Sequence, residues 1–143
     1  VELHELLEEI RGNITSTLKK ARLANAINYG ERVRVDKLRP PVIWVLPSDS
    51  PIDHSGMGEM WTYRFAVAAV VKDTDPDRGR VKANEIAGKA SAALVKTRTL
   101  GKTVRDVRRV KYLPGDVKGM SAEQLHAAGY MMEVRFRYLD KED

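Results

Sequence analysis

Trp61-Thr62-Tyr63-Arg64-Phe65-Ala66-Val67-Ala68-Ala69-Val70-Val71-Lys72 reads as one long strand, because aromatic and β-branched residues dominate it and neither Gly nor Pro interrupts it. Side chains alternate faces along a strand. Trp61, Tyr63, Phe65, Val67, Ala69 and Val71 therefore share one face, and Thr62, Arg64, Ala66, Ala68 and Val70 share the other. The first face is large and apolar and needs cover. The second is lined with small residues, so a neighbouring surface can lie close against it. Asp75-Pro76 follows at once and marks a helix start, with Asp as cap and Pro at the first helical position, where its missing amide proton costs nothing. The helix, running to about Lys96, is expected to bury Val81, Ile86, Ala90 and Leu94 with Ala83, Ala87 and Ala93, while Gly79 and Gly88 let its backbone approach a sheet.

Upstream, Leu3, Leu6, Leu7, Ile10, Ile14, Leu18 and Ala21 recur at three- and four-residue spacing, which predicts an amphipathic helix from Glu2 to about Asn25. Glu2, Glu5, Glu8 and Glu9 crowd its start and Lys19, Lys20 and Arg22 its end, a polarity that complements the helix dipole. Gly12 and Asn13 weaken its middle. After Tyr29-Gly30, Val33 and Val35 suggest a short extended piece, and residues 42–46, flanked by prolines, read as a strand near a sheet edge. Residues 47–59 hold two prolines, two glycines and several short polar side chains, which predicts a long irregular loop between two strands. Loops of that length inside a domain often carry binding. The candidate contact residues in it are Asp49, Ile52, Asp53, His54 and Met57.

Downstream of Leu100-Gly101, residues 103–113 read as a charged strand, and 130–139 as another with Tyr130, Met132, Val134, Phe136 and Tyr138 on one face. Residues 114–129 then form a second long connection, in which Ser121 and Gln124 are spaced like a capping box that opens one helical turn. The expected fold class is α+β: a single domain over 1–143, in the order α-β-β-α-β-β, with a mainly antiparallel sheet covered by two helices. Trp61, Phe65, Val67, Val134 and Phe136 should form its core with Leu7, Ile10, Ile86, Ala90 and Leu94.

A chain of 143 residues fits one domain and can bury enough surface to fold unaided. The absence of cysteine removes thiol catalysis, Cys-ligated zinc and iron–sulfur clusters. No segment approaches the roughly 20 apolar residues of a membrane helix, so the expectation is a soluble protein with no membrane partner. His4, His54 and His126 sit in no metal-ligand spacing, and the neighbours Asp53, His54 and Ser55 do not supply the separated, fixed groups of a hydrolase triad. Gly56-Met57-Gly58 lacks the Lys-Ser/Thr ending of a phosphate loop. No enzyme signature, cofactor or metal is expected.

Lys and Arg number 25 against 20 acidic residues, a net charge of +5, which permits contact with nucleic acid or another acidic surface. Arg105, Arg108, Arg109 and Lys111, with Arg135 and Arg137, are placed to line one sheet face and meet phosphate, or to remain a solvated face. The aromatic residues are of the kind that stacks bases, yet their strict alternation favours a core under the helices.

The opening amphipathic helix, the Pro40-Pro41-Val42-Ile43-Trp44-Val45-Leu46-Pro47 strand, the 61–71 strand, the helix with Glu85-Ile86-Ala87 and Ala92-Ala93-Leu94, and the final Tyr130-Met131-Met132-Glu133-Val134-Arg135-Phe136-Arg137-Tyr138 strand together resemble the tail-terminator (tail-completion, neck) proteins of long-tailed phages. The resemblance spans nearly the whole chain and rests on element order and pattern. It implies a virion protein, assembled in the host cytoplasm, that forms a hexameric ring, caps the finished tail tube and joins it to the head connector. Its partners would be copies of itself, the tail-tube protein and the head-connector protein, and it would have no catalytic residues. On this reading Arg105, Arg109, Lys111, Arg135 and Arg137 face either a lumen through which DNA passes transiently or an acidic partner subunit. The alternative is a small basic α+β nucleic-acid-binding module. Independently of the resemblance, a sheet with two faces and only two helices is short of cover, and a head-to-tail contact with another copy would supply it.

Overall fold

The computed structural model of the chain describes residues 2–29, 41–54, 59–98, 100, 104–115 and 124–138. Its elements are α1 (Leu3–Ala21), β1 (Ala26–Tyr29), β2 (Val42–His54), β3 (Met60–Lys72), α2 (Pro76–Lys96), β4 (Asp106–Gly115) and β5 (Leu125–Arg137). The five strands form one sheet in the order β1-β2-β3-β5-β4. β1 runs parallel to β2, and every other pairing is antiparallel. The α+β class and the mainly antiparallel sheet under two helices agree with the sequence pattern.

α1 begins with a capping box, in which the Glu2 backbone N–H donates to Glu5 Oε1 at 3.2 Å and the Glu2 side chain accepts from the third helical residue. It ends at Ala21, earlier than periodicity suggests, because Arg22 adopts a left-handed conformation with φ 53° and its N–H returns to Lys19 O. That turn releases the chain into β1, an element the sequence pattern does not reveal, since four residues carry too little alternation. With β1 pairing Ala26–Tyr29 beside Val42–Val45, β2 is an interior strand and not an edge strand.

The irregular loop expected over 47–59 is replaced, as far as His54, by strand. Between Pro47, opposite Phe65, and Ile52, opposite Tyr63, four residues of β2 stand against one of β3, so Pro47 borders and Pro51 lies within a bulge, where missing N–H donors are tolerated. Residues 55–58, with Met57, lie outside the described residues. β5 likewise starts at Leu125, within the expected 114–129 connection. Ala127, Ala128 and Gly129 have weak strand preference, but a Cβ on Gly129 would lie 2.7 Å from Val67 O, so glycine lets β5 close against β3. Ser121 lies outside the described residues, as do Val33 and Val35.

Asp75 caps α2 as expected, accepting from Asp77 N at 3.0 Å and Arg78 N at 3.4 Å. The buried stripe is Gly79, Ala83, Ala87, Ala90, Ser91 and Leu94. Val81, expected inside, is 59% exposed. It lies two residues from both Gly79 and Ala83, about 200° around the helix from the stripe they define. Gly79 does serve close approach, since a Cβ there would fall 2.1 Å from the His126 ring, whereas one on Gly88 would meet open space. The junction before α2 is held by Asp73, whose side chain is only 4% exposed. Its carboxylate accepts from Arg78 Nε at 2.8 Å, Arg78 Nη2 at 2.9 Å, Asp75 N at 2.9 Å and Lys82 Nζ at 3.2 Å. These partners, Arg78 foremost, hold its pKa well below the usual carboxylate range against the opposing effect of burial.

The main core joins Leu7, Ile10, Ile14 and Leu18 of α1 and Ala90 and Leu94 of α2 to Ile43, Val45, Tyr63, Phe65, Val67, Met132, Val134 and Phe136. Trp61 and Ile86 are only partly buried at its margin. Trp61 packs there against His54, ring centroids 4.7 Å apart, and edge-on to Tyr138.

Candidate functional site

The register assigns every second strand residue to the face turned away from the helices. Across β3 and β5 that face pairs Thr62 with Arg135, Arg64 with Glu133, Ala66 with Met131, Ala68 with Gly129 and Val70 with Ala127. β2 adds Val42, Trp44 and Asp53, and β4 adds Asp106, Arg108 and Lys111.

One half of this face is ionic. Glu133, 6% exposed, accepts from Arg64 Nε at 3.1 Å, Arg108 Nε at 3.0 Å and Arg108 Nη2 at 2.6 Å. Arg64 also lies 3.8 Å from Asp53. Arg135 grips Asp106 through Nε, at 3.1 and 3.0 Å from the two oxygens, and through Nη2. This guanidinium holds the Asp106 carboxyl below its ordinary pKa. Arg137 pairs with Glu59. The other half is apolar: Val42, Trp44, Val70 and Leu125 are buried together, with Leu46, Ala68 and Ala127 packed against them. No residue of either helix belongs to this cluster, and the buried Trp44 Nε1 makes no hydrogen bond.

The five basic candidates do not converge. Arg135, Arg137 and Lys111 are on the open face, and Arg105 precedes β4 with its backbone N–H donating to Arg135 O at 2.7 Å. Arg109 faces α2, where Nε donates to Ser91 Oγ at 2.7 Å, Nη2 donates to Gly88 O at 3.2 Å, and the guanidinium sits 5.4 Å above the Tyr130 ring. Simple alternation puts Arg109 and Lys111 on one face; the register shift between them, at Val110, separates them. Of the loop candidates, Ile52 and His54 stand opposite Tyr63 and Trp61 on the helix side, and Asp53 stands opposite Thr62 on the open side. Asp49 belongs to the bulge of β2, and Met57 is not among the described residues. Sequence reading missed the Arg64–Glu133–Arg108 cluster, for which only the cross-strand register carries a signal.

Among the described residues no group of three or more His, Cys, Asp or Glu is placed to hold a metal ion, and no helix is long and apolar enough to cross a membrane. A groove of about 810 Å³ along α1 is lined by Glu8, Arg11, Thr15, Lys19, Lys20 and Arg22, without a paired nucleophile and base.

No protein-family model matches the chain, and no curated protein does. Solved structures do match in fold. A chain of the virion of a native gene transfer agent particle overlays with a TM-score of 0.56 at 12% identity, over 93% of this chain and 92% of that one. A further solved chain overlays with a TM-score of 0.51 at 16% identity, over 99% of this chain and 100% of its own length. The gp17 protein of bacteriophage SPP1 aligns at 15% identity over 98% of this chain and 93% of that one, with a TM-score of 0.46. At these identities the likeness is one of fold.

Proposed function

We propose that the chain is a structural protein of a phage-type virion, in its tail or neck, where copies close into a hexameric ring that terminates the tail tube and joins it to the head connector. The observation that carries this reading is the nearly end-to-end likeness of fold to a chain of the gene transfer agent virion. The asymmetric sheet supports it. Both helices pack on one face, and the ionic half of the other, where Arg108, Arg135 and Arg137 are exposed, offers a surface for neighbouring copies or for the tube and connector proteins. Asp53 on that face, Asp49 in the bulge of β2, and Met57, outside the described residues, are contact residues in this proposal. Arg135 and Arg137 belong to the surface that lines the lumen or meets an acidic partner. Because each already pairs with a carboxylate, passing DNA would be held weakly and without sequence preference, as transit requires.

The deciding measurement is the mass of the native particle by sedimentation, together with electron microscopy of the assembled material. Closed rings of six copies are expected. A monomer at all concentrations, with sub-micromolar, sequence-selective DNA binding at about 0.15 M salt, would replace this reading with the nucleic-acid module.

A further inference from the structure

Two hollows meet at the C-terminal ends of the helices. The groove along α1 is lined there by Lys19, Lys20 and Arg22. A second hollow of about 410 Å³ lies where the ends of α1 and α2 come together, between Ser16, Thr17 and Lys20 on one side and Lys96 and Thr97 on the other. Ser16 and Lys20 line both, so the two form one trough. Lys19, Lys20, Arg22 and Lys96 are exposed in it, and none has an acidic partner among the described residues. Elsewhere Arg78, Arg108, Arg135 and Arg137 each grip a carboxylate.

Cations in a last helical turn complement the helix dipole, but that dipole amounts to about half a charge at each end, so two helices account for about one of the four. Carboxylates on the same helix do not balance the rest. Glu8, which lines the groove, is paired with Arg11 at 2.6 Å. Glu9 lies about 15 Å along the axis from Lys19, beyond the roughly 8 Å screening length of physiological salt. Thr15, Thr17 and Thr97 donate their hydroxyls to the backbone of their own helices, at 3.1, 2.8 and 2.8 Å, which leaves the four cations and the exposed Ser16 as donors. Val81, Val110 and Tyr112, the large apolar side chains exposed among the described residues, line neither hollow. A protein partner is anchored by apolar or aromatic side chains at the centre of its interface, and single-stranded bases by stacking on aromatic rings. The trough offers neither. It offers charge alone, which is what phosphate oxygens take.

We propose that the trough between the C-terminal ends of α1 and α2 holds the phosphodiester backbone of duplex DNA, with Lys19, Lys20, Arg22 and Lys96 meeting its phosphates. Contacts of this kind position a duplex and carry no sequence information. The inference is independent of the ring reading, and it adds a contact in the helix layer, apart from Arg135 and Arg137 of the open face.

The test is fluorescence anisotropy of a labelled duplex DNA of random sequence with the full chain, with far-UV circular dichroism and urea unfolding as fold controls. Between about 0.05 and 0.2 M salt the logarithm of the association constant should fall against the logarithm of salt with a slope of about −3 to −4, as four phosphate contacts give. Lys20→Gln/Lys96→Gln should reduce that slope by about 2 and weaken binding about tenfold or more at about 0.05 M salt, with the spectrum and urea midpoint kept. Lys19→Gln/Arg22→Gln should do the same from the other part of the trough. Arg80→Gln/Lys89→Gln removes as much charge from α2, at cations already paired with Asp77 and Glu85, and should change binding by no more than about twofold. Equal losses from all three pairs would mean that net charge alone attracts DNA, and would overturn the trough, as would the absence of binding at low salt. Displacement of the duplex by polyglutamate at an equal concentration of charge would assign the trough to an acidic protein instead. A trough variant that sediments with a particle mass unlike that of the wild type would make this surface a contact between copies. A wild-type monomer that binds duplex as described would end the ring reading and leave this inference standing.

Discussion

The two faces of the sheet are stabilised by different physics. Under the helices, Tyr63, Phe65, Val67, Met132, Val134 and Phe136 are fully buried, and their contribution is burial of apolar area, which depends little on direction. On the open face β3, β4 and β5 present Arg64, Glu133, Arg108, Asp106 and Arg135, whose contributions depend on donor and acceptor meeting at hydrogen-bond distance. The first face should lose much stability to truncation and little to salt. The ionic half of the second should lose less, and its value for the molecule lies in a charged surface held in one arrangement.

Truncation of the covered face gives the largest expected effect. Phe65→Ala should cost about 3–5 kcal/mol, whereas Met131→Ala, half-buried on the open face, should cost about 1 kcal/mol or less. Urea unfolding of the pair tests the contrast, and equal losses would break it.

Gly129→Ala comes next, because its Cβ would meet the backbone of Val67 and Ala68, which cannot yield as a side-chain tip can. About 1–3 kcal/mol should be lost in thermal or urea unfolding. A neutral outcome would mean that β5 does not lie so close to β3.

Within the open face, burial should rank the ion pairs. Glu133→Gln removes the shared partner of Arg64 and Arg108 from a position only 6% exposed and should cost about 1–2 kcal/mol. Arg137→Ala, whose pair with Glu59 is solvent-facing, should change stability by no more than about 0.5 kcal/mol. If the two substitutions cost the same, burial is not what distinguishes these pairs.

The smallest effect is confined to acid. Asp73 has its pKa depressed in the folded protein, so it binds a proton less readily there than in the unfolded chain. Its contribution is present above the unfolded value of about 3.9 and is lost as pH falls towards the folded one. Asp73→Asn should therefore flatten the dependence of the urea midpoint on pH below about 4. A slope identical to that of the wild type would remove Asp73 as the acid-sensitive anchor of α2.

How much of this could be read beforehand depends on how far apart the cooperating residues are. α1, β3 and α2 are visible because their signals are local: three- and four-residue apolar spacing, period-two alternation, and an Asp-Pro start. Even so the pattern puts Val81 inside, where the structure exposes it, since apolar character alone does not say which side of an alanine-rich helix meets the sheet. β1 was missed because Ala26–Tyr29 becomes a strand only by lying beside Val42–Val45. The segments 47–54 and 125–129 look irregular in isolation, yet both are drawn into strands by β3, which supplies a long partner on each side.

The sequence by itself determined the apolar stripe of α1, the apolar face of β3 and where the two helices begin, because each is a property of neighbours along the chain. Only the tertiary structure decided the strand order, the register and the bulge at Val110. Those follow from packing between segments that are distant in sequence, and a shift of a single residue turns a side chain to the opposite face. That is why Arg109, which local alternation groups with Lys111, instead holds α2 to the sheet.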